Sequence, residues 1–405
     1  MPPTFLHPFS KPSRETFIPI VRGEGALLWT KDGRELVDAL GSLWYCNIGH
    51  GRLEMAETVY RQMQVLETYS CFEPFTNEPA DALAERIAAL TPMPDARVFF
   101  TCSGSEAVDT AMKLARGAHV QAGRPQKTLI ISRIRGYHGT AMGGTSAQGI
   151  PLNREGWGPL AGDVIQIPSD DVEALASLMA ERGEEVAAVL VEPVQGAGGV
   201  WPPVDGYLEG VRRLCDKHGA FLIFDEVISG FGRTGNMFAA DTFGVIPDLT
   251  TFAKGITSGY QPLGGVLVGA KVRAALEANP EFFMRHGFTY SGHASACAAG
   301  MTNLDIIERE GLVQRANHVG GRLSDGLRAL ADDGTVDHVR GVGAVWAVQL
   351  RPDQVAKDVH EKMYADSGVI VRAIGTDTIV YCPPLVITDE QVDRIVDATA
   401  KATIG

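Results

Sequence analysis

The middle of the chain alternates short apolar runs with amphipathic stretches, and this alternation restricts its fold more than any other feature. Arg97–Thr101 reads as a strand, followed by an amphipathic helix from Glu106 to Arg116 that Gly117 would end. Thr128–Ser132 reads as a second strand, and Ala187–Glu192 as a third, closed by Pro193. A helix over Leu208–His218 precedes the apolar run Phe221–Phe224 that ends in Asp225. A further run, Leu249–Ala253, ends in Lys254. Strands and helices in strict succession predict a mostly parallel sheet covered by helices. After about residue 300 the pattern changes. Helices over Cys297–Glu310 and Gln314–Ala331 precede short strands at Ala344–Leu350, Val369–Arg372 and Thr378–Tyr381, and a helix over Asp389–Ala402 closes this α+β lobe. Near the start, Ala26–Asp38 reads as a hairpin turning at Asp32-Gly33 that can pack beside that lobe.

A chain of 405 residues exceeds one ordinary core, so two lobes are expected. Its net charge of −13 argues against a nucleic-acid or anionic-membrane surface. No apolar stretch approaches the roughly 20 residues that span a bilayer, and the opening Met1-Pro2-Pro3-Thr4-Phe5 lacks the basic and apolar regions of a signal peptide. Six cysteines are scattered without C-x-x-C spacing, as in a reducing compartment, so a cytoplasmic protein is expected. His286 and His293 have no carboxylate or cysteine at ligand spacing, so no metal site is expected.

The chemistry is expected at the ends of the two apolar runs. Carboxyl ends of parallel strands converge on a ligand crevice, which would bring Asp225 and Lys254 together. An amine that forms a Schiff base and a carboxylate that keeps a pyridine nitrogen protonated are what pyridoxal 5'-phosphate (PLP) requires. The plainer alternative is a buried Asp–Lys ion pair, or two unrelated surface residues. The strand-to-helix segment Thr101-Cys102-Ser103-Gly104-Ser105-Glu106-Ala107 offers backbone N–H groups and two hydroxyls to an anion such as phosphate. Simple capping of the helix by Ser103 or Ser105 is the alternative. Gly136-Tyr137-His138-Gly139 holds an aromatic ring in a tight turn suited to stacking on a flat group. Val227, two residues beyond Asp225 and on the same side of an extended strand, can press on the other face. Gly341-Val342-Gly343 resembles the start of a dinucleotide loop, but Trp346 stands where the third glycine belongs, which speaks against a nicotinamide enzyme.

Taken together, these segments closely resemble the class-III, fold-type-I PLP-dependent aminotransferases from about Gly23 to the C-terminus. The resemblance is carried by Val98–Ala107, Gly136–Gly139, Val191–Gly196, Asp225-Glu226-Val227 with Gly230–Gly235, Ala253-Lys254-Gly255 and Gly287–His293. It implies a large domain (51–295) with a mostly parallel seven-stranded sheet between helices. Residues 296–405 would form a small α+β domain, with the N-terminal segment 1–50 packed against it. Lys254 would hold PLP and move the proton at the substrate Cα, and Asp225 would pair with the pyridine nitrogen. Ser103, Gly104 and Ser105 would bind the phosphate, with Phe288 and Thr289 also contacting the cofactor and Thr289 reaching in from the second subunit of a homodimer. Such dimers can pair into tetramers. Tyr137 and Val227 would sandwich the ring, with His138 and Glu192 as its polar support.

Leu43–Gly51 looks like the aromatic-bearing loop of ω-aminotransferases, with Trp44 and Tyr137 as substrate-binding residues. Val371–Gly375 looks like the strand carrying their mobile substrate arginine, here Arg372. A guanidinium is the natural bidentate partner of a carboxylate. Ornithine-type relatives carry a glutamate where this chain has Ala197, which argues against ornithine-type substrates. The segments before Gly23 and around 149–163 are shorter than in many ω-aminotransferases. The resemblance thus implies ping-pong transfer of an amino group from a primary amine or ω-amino acid to pyruvate or a similar keto acid. An aminomutase, racemase or decarboxylating transaminase on the same scaffold is the alternative, because these share Lys254 and Asp225.

Overall fold

The computed structural model describes residues 3–403; Met1, Pro2, Ile404 and Gly405, at the outer ends of the expected domains, lie outside the described residues. Near the N-terminus, β1 (Ile20–Glu24), β2 (Leu27–Thr30) and β3 (Glu35–Asp38) form an antiparallel meander. The expected hairpin is therefore present, with one strand added before it. A seven-stranded sheet follows, built from β4 (Arg97–Thr101), β5 (Leu129–Arg133), β6 (Val164–Ile167), β7 (Val186–Val191), β8 (Phe221–Asp225), β9 (Leu249–Phe252) and β10 (Gly264–Val268). Its spatial order is β4-β10-β9-β8-β7-β5-β6. The neighbours from β9 through β6 run parallel, and β10 is antiparallel to both β9 and β4. Two reversals leave β4 pointing the same way as β9. The carboxyl ends of β4, β5, β7, β8 and β9 thus open on one edge of the sheet, where a ligand crevice forms. Every residue of β5 and of β7 through β10 is buried, which accounts for runs of apolar residues without the polar alternation of a half-exposed strand.

In the last third, β11 (His338–Val342), β12 (Val345–Gln349), β14 (Arg372–Ile374) and β15 (Thr378–Tyr381) form an antiparallel sheet in the order β11-β12-β15-β14. The Gly341–Gly343 segment is the end of β11 and the first residue of the turn into β12, and it opens no dinucleotide loop. The expected strand over Val369–Arg372 proves to be two. Here β13 (Val369–Ile370) pairs parallel with β3, at Val37 and Asp38, whereas Arg372 pairs with Val380 of β15. Val371, 2% exposed, is the point at which the chain leaves one sheet for the other.

The helix after β4 runs from Gly104 to Gln121 and passes through Gly117 without ending there. Buried Ala118 and His119 continue the apolar face of Ala111, Leu114 and Ala115 past that glycine. The chain turns at Gly123, whose φ of +74° is the left-handed conformation that a helix-ending glycine supplies. Among the described residues, no helix is long and apolar enough to cross a membrane, and no cluster of His, Cys, Asp and Glu could hold a metal.

Lys127 fastens the helical layer to the strand ends. The residue is 2% exposed, and its ammonium donates to the carbonyls of Gly183 (2.8 Å), Val186 (3.2 Å) and His218 (2.9 Å). Burial lowers its pKa, and Glu184 partly offsets that. Lys127→Met keeps the apolar stem but leaves buried carbonyls without donors. It is expected to lower stability by about 3 kcal/mol in equilibrium denaturant unfolding; a loss below about 1 kcal/mol would show that water replaces the ammonium.

Candidate active site

Register brings the two expected residues together. β8 and β9 are neighbours in which Asp225 pairs with Thr251, and Lys254 lies two residues beyond the end of β9. Lys254 has φ +47°, a conformation that a long side chain adopts only where its surroundings enforce it. The following turn is fixed from outside: Asn303 donates to the carbonyls of Gly255 (2.8 Å) and Ile256 (2.9 Å), and Ser258 Oγ bonds Asn303 Oδ1 at 2.7 Å.

The two residues do not form an ion pair. Asp225 Oδ1 accepts from Thr251 Oγ1 (3.1 Å) and the Val227 N–H (3.2 Å), and Oδ2 accepts from His138 Nδ1 (2.8 Å). A carboxylate has about four lone-pair positions, so one remains for a further donor. Lys254 Nζ has no hydrogen bond or ion pair among the described residues. Burial lowers the pKa of its ammonium; Asp225, Glu192 and Cys382 pull it back up, and Arg372 lowers it further. The result is an amine set among charges and bonded to none of them.

Around this pair, Glu192 follows β7 and is 4% exposed. Its Oε1 accepts the Tyr137 N–H at 2.8 Å and its Oε2 the Gly196 N–H at 3.0 Å. Burial pushes its pKa up to about 7, with Asp225 adding to the rise and His138 opposing it. The half-buried Tyr137 has its hydroxyl pKa raised by burial, lowered by Arg372 and raised by Asp225 and Glu192.

The Gly104–Gln121 helix starts on the same edge of the sheet. Ser103 Oγ accepts the Glu106 N–H (3.2 Å), Ser103 O accepts the Ala107 N–H (3.0 Å), and Glu106 reaches back to the Cys102 N–H (2.7 Å). Ser103 thus caps the helix as an acceptor and keeps its own O–H, and the N–H groups of Gly104 and Ser105 have no partner among the described residues. Ser105 Oγ accepts the Thr140 N–H (3.0 Å) and keeps its own O–H to donate. A Cβ on Gly104 would lie 2.9 Å from Val227 Cγ1, so only glycine admits the valine that close. Val227 itself stands differently from the extended-strand expectation. β8 stops at Asp225, and Val227 sits in the turn that the Asp225 side chain closes through its N–H.

Arg372 is half-buried and forms no hydrogen bond or ion pair among the described residues. Burial lowers its pKa, with Tyr137 opposing. Trp44 is 3% exposed with φ +69°, in an apolar cluster with Val194, Val200, Val380 and Cys382, while its neighbour Leu43 is exposed. Phe288 lies edge-on to His286 with ring centroids 5.3 Å apart, and Ser291 ties this segment to Phe100 O of β4 at 2.8 Å. Thr289 is exposed, and its side chain has no hydrogen bond among the described residues. Two further members escaped the sequence reading. Thr251 signals itself only as a polar residue in an apolar run, and Cys382 comes near Lys254 only through the return of the C-terminal sheet.

The donor set fits PLP. It comprises an unpartnered amine, a buried carboxylate with one lone pair to spare, and free N–H groups at a helix N-terminus that suit a phosphate. A model of the family described as aminotransferase class-III matches residues 9–403. The ω-aminotransferase of Caulobacter vibrioides is 38% identical, with 99% of this chain and 97% of that protein covered. The β-alanine–pyruvate aminotransferase of Pseudomonas aeruginosa is also 38% identical, over 95% of this chain and 92% of its own length. The solved structure of a PLP-bound amine transaminase from an uncultivated Pseudomonas species superposes with a TM-score of 0.95 at 34% identity, covering 99% of this chain and 98% of that one. The chain belongs to the class-III aminotransferases, enzymes that work with PLP.

Proposed function

We propose that this aminotransferase takes its amino group from a primary amine or ω-amino acid and delivers it to pyruvate or a similar keto acid by a ping-pong mechanism. The observation that carries this reading is Arg372, a half-buried guanidinium with no carboxylate partner among the described residues, near enough to Tyr137 and Lys254 to act on the charge of both. A cation kept free at that place suits the carboxylate of an acceptor. Related proteins bear the names ω-aminotransferase and β-alanine–pyruvate aminotransferase, which supports the same choice.

When bound, PLP supplies the conjugated ring that takes up the electron pair released at the substrate Cα. Lys254 anchors it and, as a free amine, removes the Cα proton; the burial that lowers its pKa keeps more of it unprotonated. Asp225, oriented by Thr251 and His138, would keep the ring nitrogen protonated. The N–H groups of Gly104 and Ser105 and the Ser105 hydroxyl would hold the phosphate, with the Ser103 cap fixing that turn. Tyr137 and Val227 would flank the ring, and Glu192 fixes the Tyr137 turn. In the second half-reaction Arg372 holds the keto acid, and Lys254 returns a proton to its Cα. Trp44, buried against the C-terminal sheet, shapes the amine side of the pocket.

We further assign residues 51–295 as the PLP-binding domain, and 296–405 with 1–50 as the small domain, supported by the β3–β13 pairing. The exposure of Thr289 and Phe288's place at the end of β4 support a homodimer in which Thr289 completes the partner's phosphate site, with tetramers as a further step. Six free cysteines support a cytoplasmic enzyme.

The PLP-loaded enzyme is expected to form alanine from pyruvate and an amine lacking a carboxylate, such as 1-phenylethylamine. In Arg372→Ala the KM for pyruvate should rise about 10- to 100-fold, the value of a charge-assisted hydrogen-bonded pair, while the KM for the amine stays within about twofold. Absence of alanine with every amine donor tried would overturn the proposal.

A further inference from the structure

The C-terminal sheet carries two arginines on one face. Arg340 pairs with Ala347, Ala347 with Val380, and Val380 with Arg372, a single line across all four strands. Residues directly opposite in antiparallel strands project to the same side, so Arg340 and Arg372 stand at the two edges of the same face, three strand spacings of about 4.8 Å apart. Val345, Ala347, Val380 and Cys382 from that face pack on Leu40, Trp44, Val194 and Val200, so this is the face turned toward the candidate active site.

The two arginines differ in their partners. Arg372 is free, whereas Arg340 is pinned. Arg340 Nε donates to Gly199 O at 2.9 Å, its Nη1 to Gln349 Oε1 at 3.2 Å and its Nη2 to Thr378 Oγ1 at 3.3 Å. Its guanidinium carbon lies 3.7 Å from the centroid of the Trp201 ring, and that of Arg135 lies 4.3 Å from the same ring. One indole is thus held between a cation from β11 and a cation from the turn after β5, an arrangement favoured by the negative faces of the ring. Asp170 balances Arg135 at 3.0 Å. The loop beneath is stiff. Gln195 and Trp201 exchange both backbone hydrogen bonds at 3.0 Å, Trp201 Nε1 donates to Gly198 O at 3.0 Å, and the Gly196 N–H bonds Glu192.

We propose that Trp201, clamped between Arg135 and Arg340, is a specificity-determining positioning residue that sets how closely the C-terminal sheet seats on the loop over 194–201, and so places Arg372 for the carboxylate of the acceptor. The proposal rests on the assignment of Arg372 to that carboxylate. Arg372 sits on the far edge of a sheet that Arg340 holds at the near edge, so loss of the clamp tilts the sheet and moves the guanidinium. A displacement of about 1 Å from a productive position is enough to reduce function strongly. The chemistry at Lys254 lies on the large sheet and is left in place.

The test uses the PLP-loaded enzyme with one amine donor and two acceptors, pyruvate and butanal, which has no carboxylate. In Trp201→Leu and Arg340→Gln the KM for pyruvate is expected to rise about tenfold, with the KM for butanal, the kcat and the visible absorption of bound PLP all near wild type. Trp201→Phe, which retains an aromatic face, should recover most of the loss. Unchanged pyruvate KM in Trp201→Leu, or equal rises for both acceptors, overturns the clamp. Trp201 is only half-buried, so Trp201→Leu decides the matter if Arg340→Gln does not fold. Arg372→Ala measured alongside separates the two levels: a rise there with no rise in the clamp variants removes the clamp alone, and no rise there removes both.

Discussion

Lys254→Ala is expected to reduce turnover by about 10⁴-fold or more, the upper part of the range for a single acid–base group, because the same residue also provides the covalent anchor. Among the described residues, the candidate active site has no second amine to take its place. Arg372 stays protonated, and His138 Nδ1 is engaged with Asp225. Lys254→Arg should be equally inactive, since a guanidinium keeps its proton. Two controls distinguish lost chemistry from lost fold. Borohydride treatment should fix PLP to the Lys254 peptide in the wild type and to no peptide in either variant, read by mass spectrometry. A small primary amine added to Lys254→Ala should restore part of the proton transfer, because the space left by the side chain opens into the site. Turnover within tenfold of wild type in Lys254→Ala would remove the central assignment.

Asp225→Asn is expected to lower kcat by about 10³-fold with little change in KM. The substitution conserves size and leaves Thr251, the Val227 N–H and His138 with a polar partner. What it removes is a negative charge in a buried place. At about 4 Å and an effective dielectric constant of about 20, that charge acts on a neighbouring cation by about 4 kcal/mol, which corresponds to roughly 10³ in rate. The charge on the ring nitrogen matters most as electrons arrive from the substrate Cα, so the loss should fall on kcat and on kcat/KM alike. A variant whose kcat is unchanged while KM rises would make Asp225 a binding residue only.

Much of this site was legible in the chain before folding. Asp225 and Lys254 end runs of apolar residues, and a charged residue at the end of a buried strand has few uses that are not chemical. The anion-binding turn at Ser103–Glu106 shows itself in the same way, through small residues ahead of an amphipathic helix. Other features carried no local sign. Gly117 looked like a helix end because a glycine there permits one, but the apolar face continues past it, and tertiary packing outweighs the propensity of one residue. Val227 looked like a strand residue because nothing local says that β8 stops at Asp225. Ser103 offers both roles in the sequence, and in the fold its hydroxyl oxygen caps Glu106 while its own O–H remains to donate.

The sequence by itself indicated most of the strands and helices, since periodicity and turn residues act over a few positions, and it set out the chemical groups at their ends; β6 and β10 were not among those it indicated. Only the tertiary structure decided which of those ends meet. Val369–Arg372 is one apolar run to the eye, yet its first half pairs with Val37 and Asp38 and its second with β15. That division depends on hydrogen bonds to strands far away in the chain, and the free N–H and C=O groups of an isolated strand are the same whichever partner they take. The same holds for the line from Arg340 to Arg372, which exists only in the register of four strands. The physical reason is that backbone pairing is strong but unspecific, and the partner is selected by the burial of side chains from both strands at once.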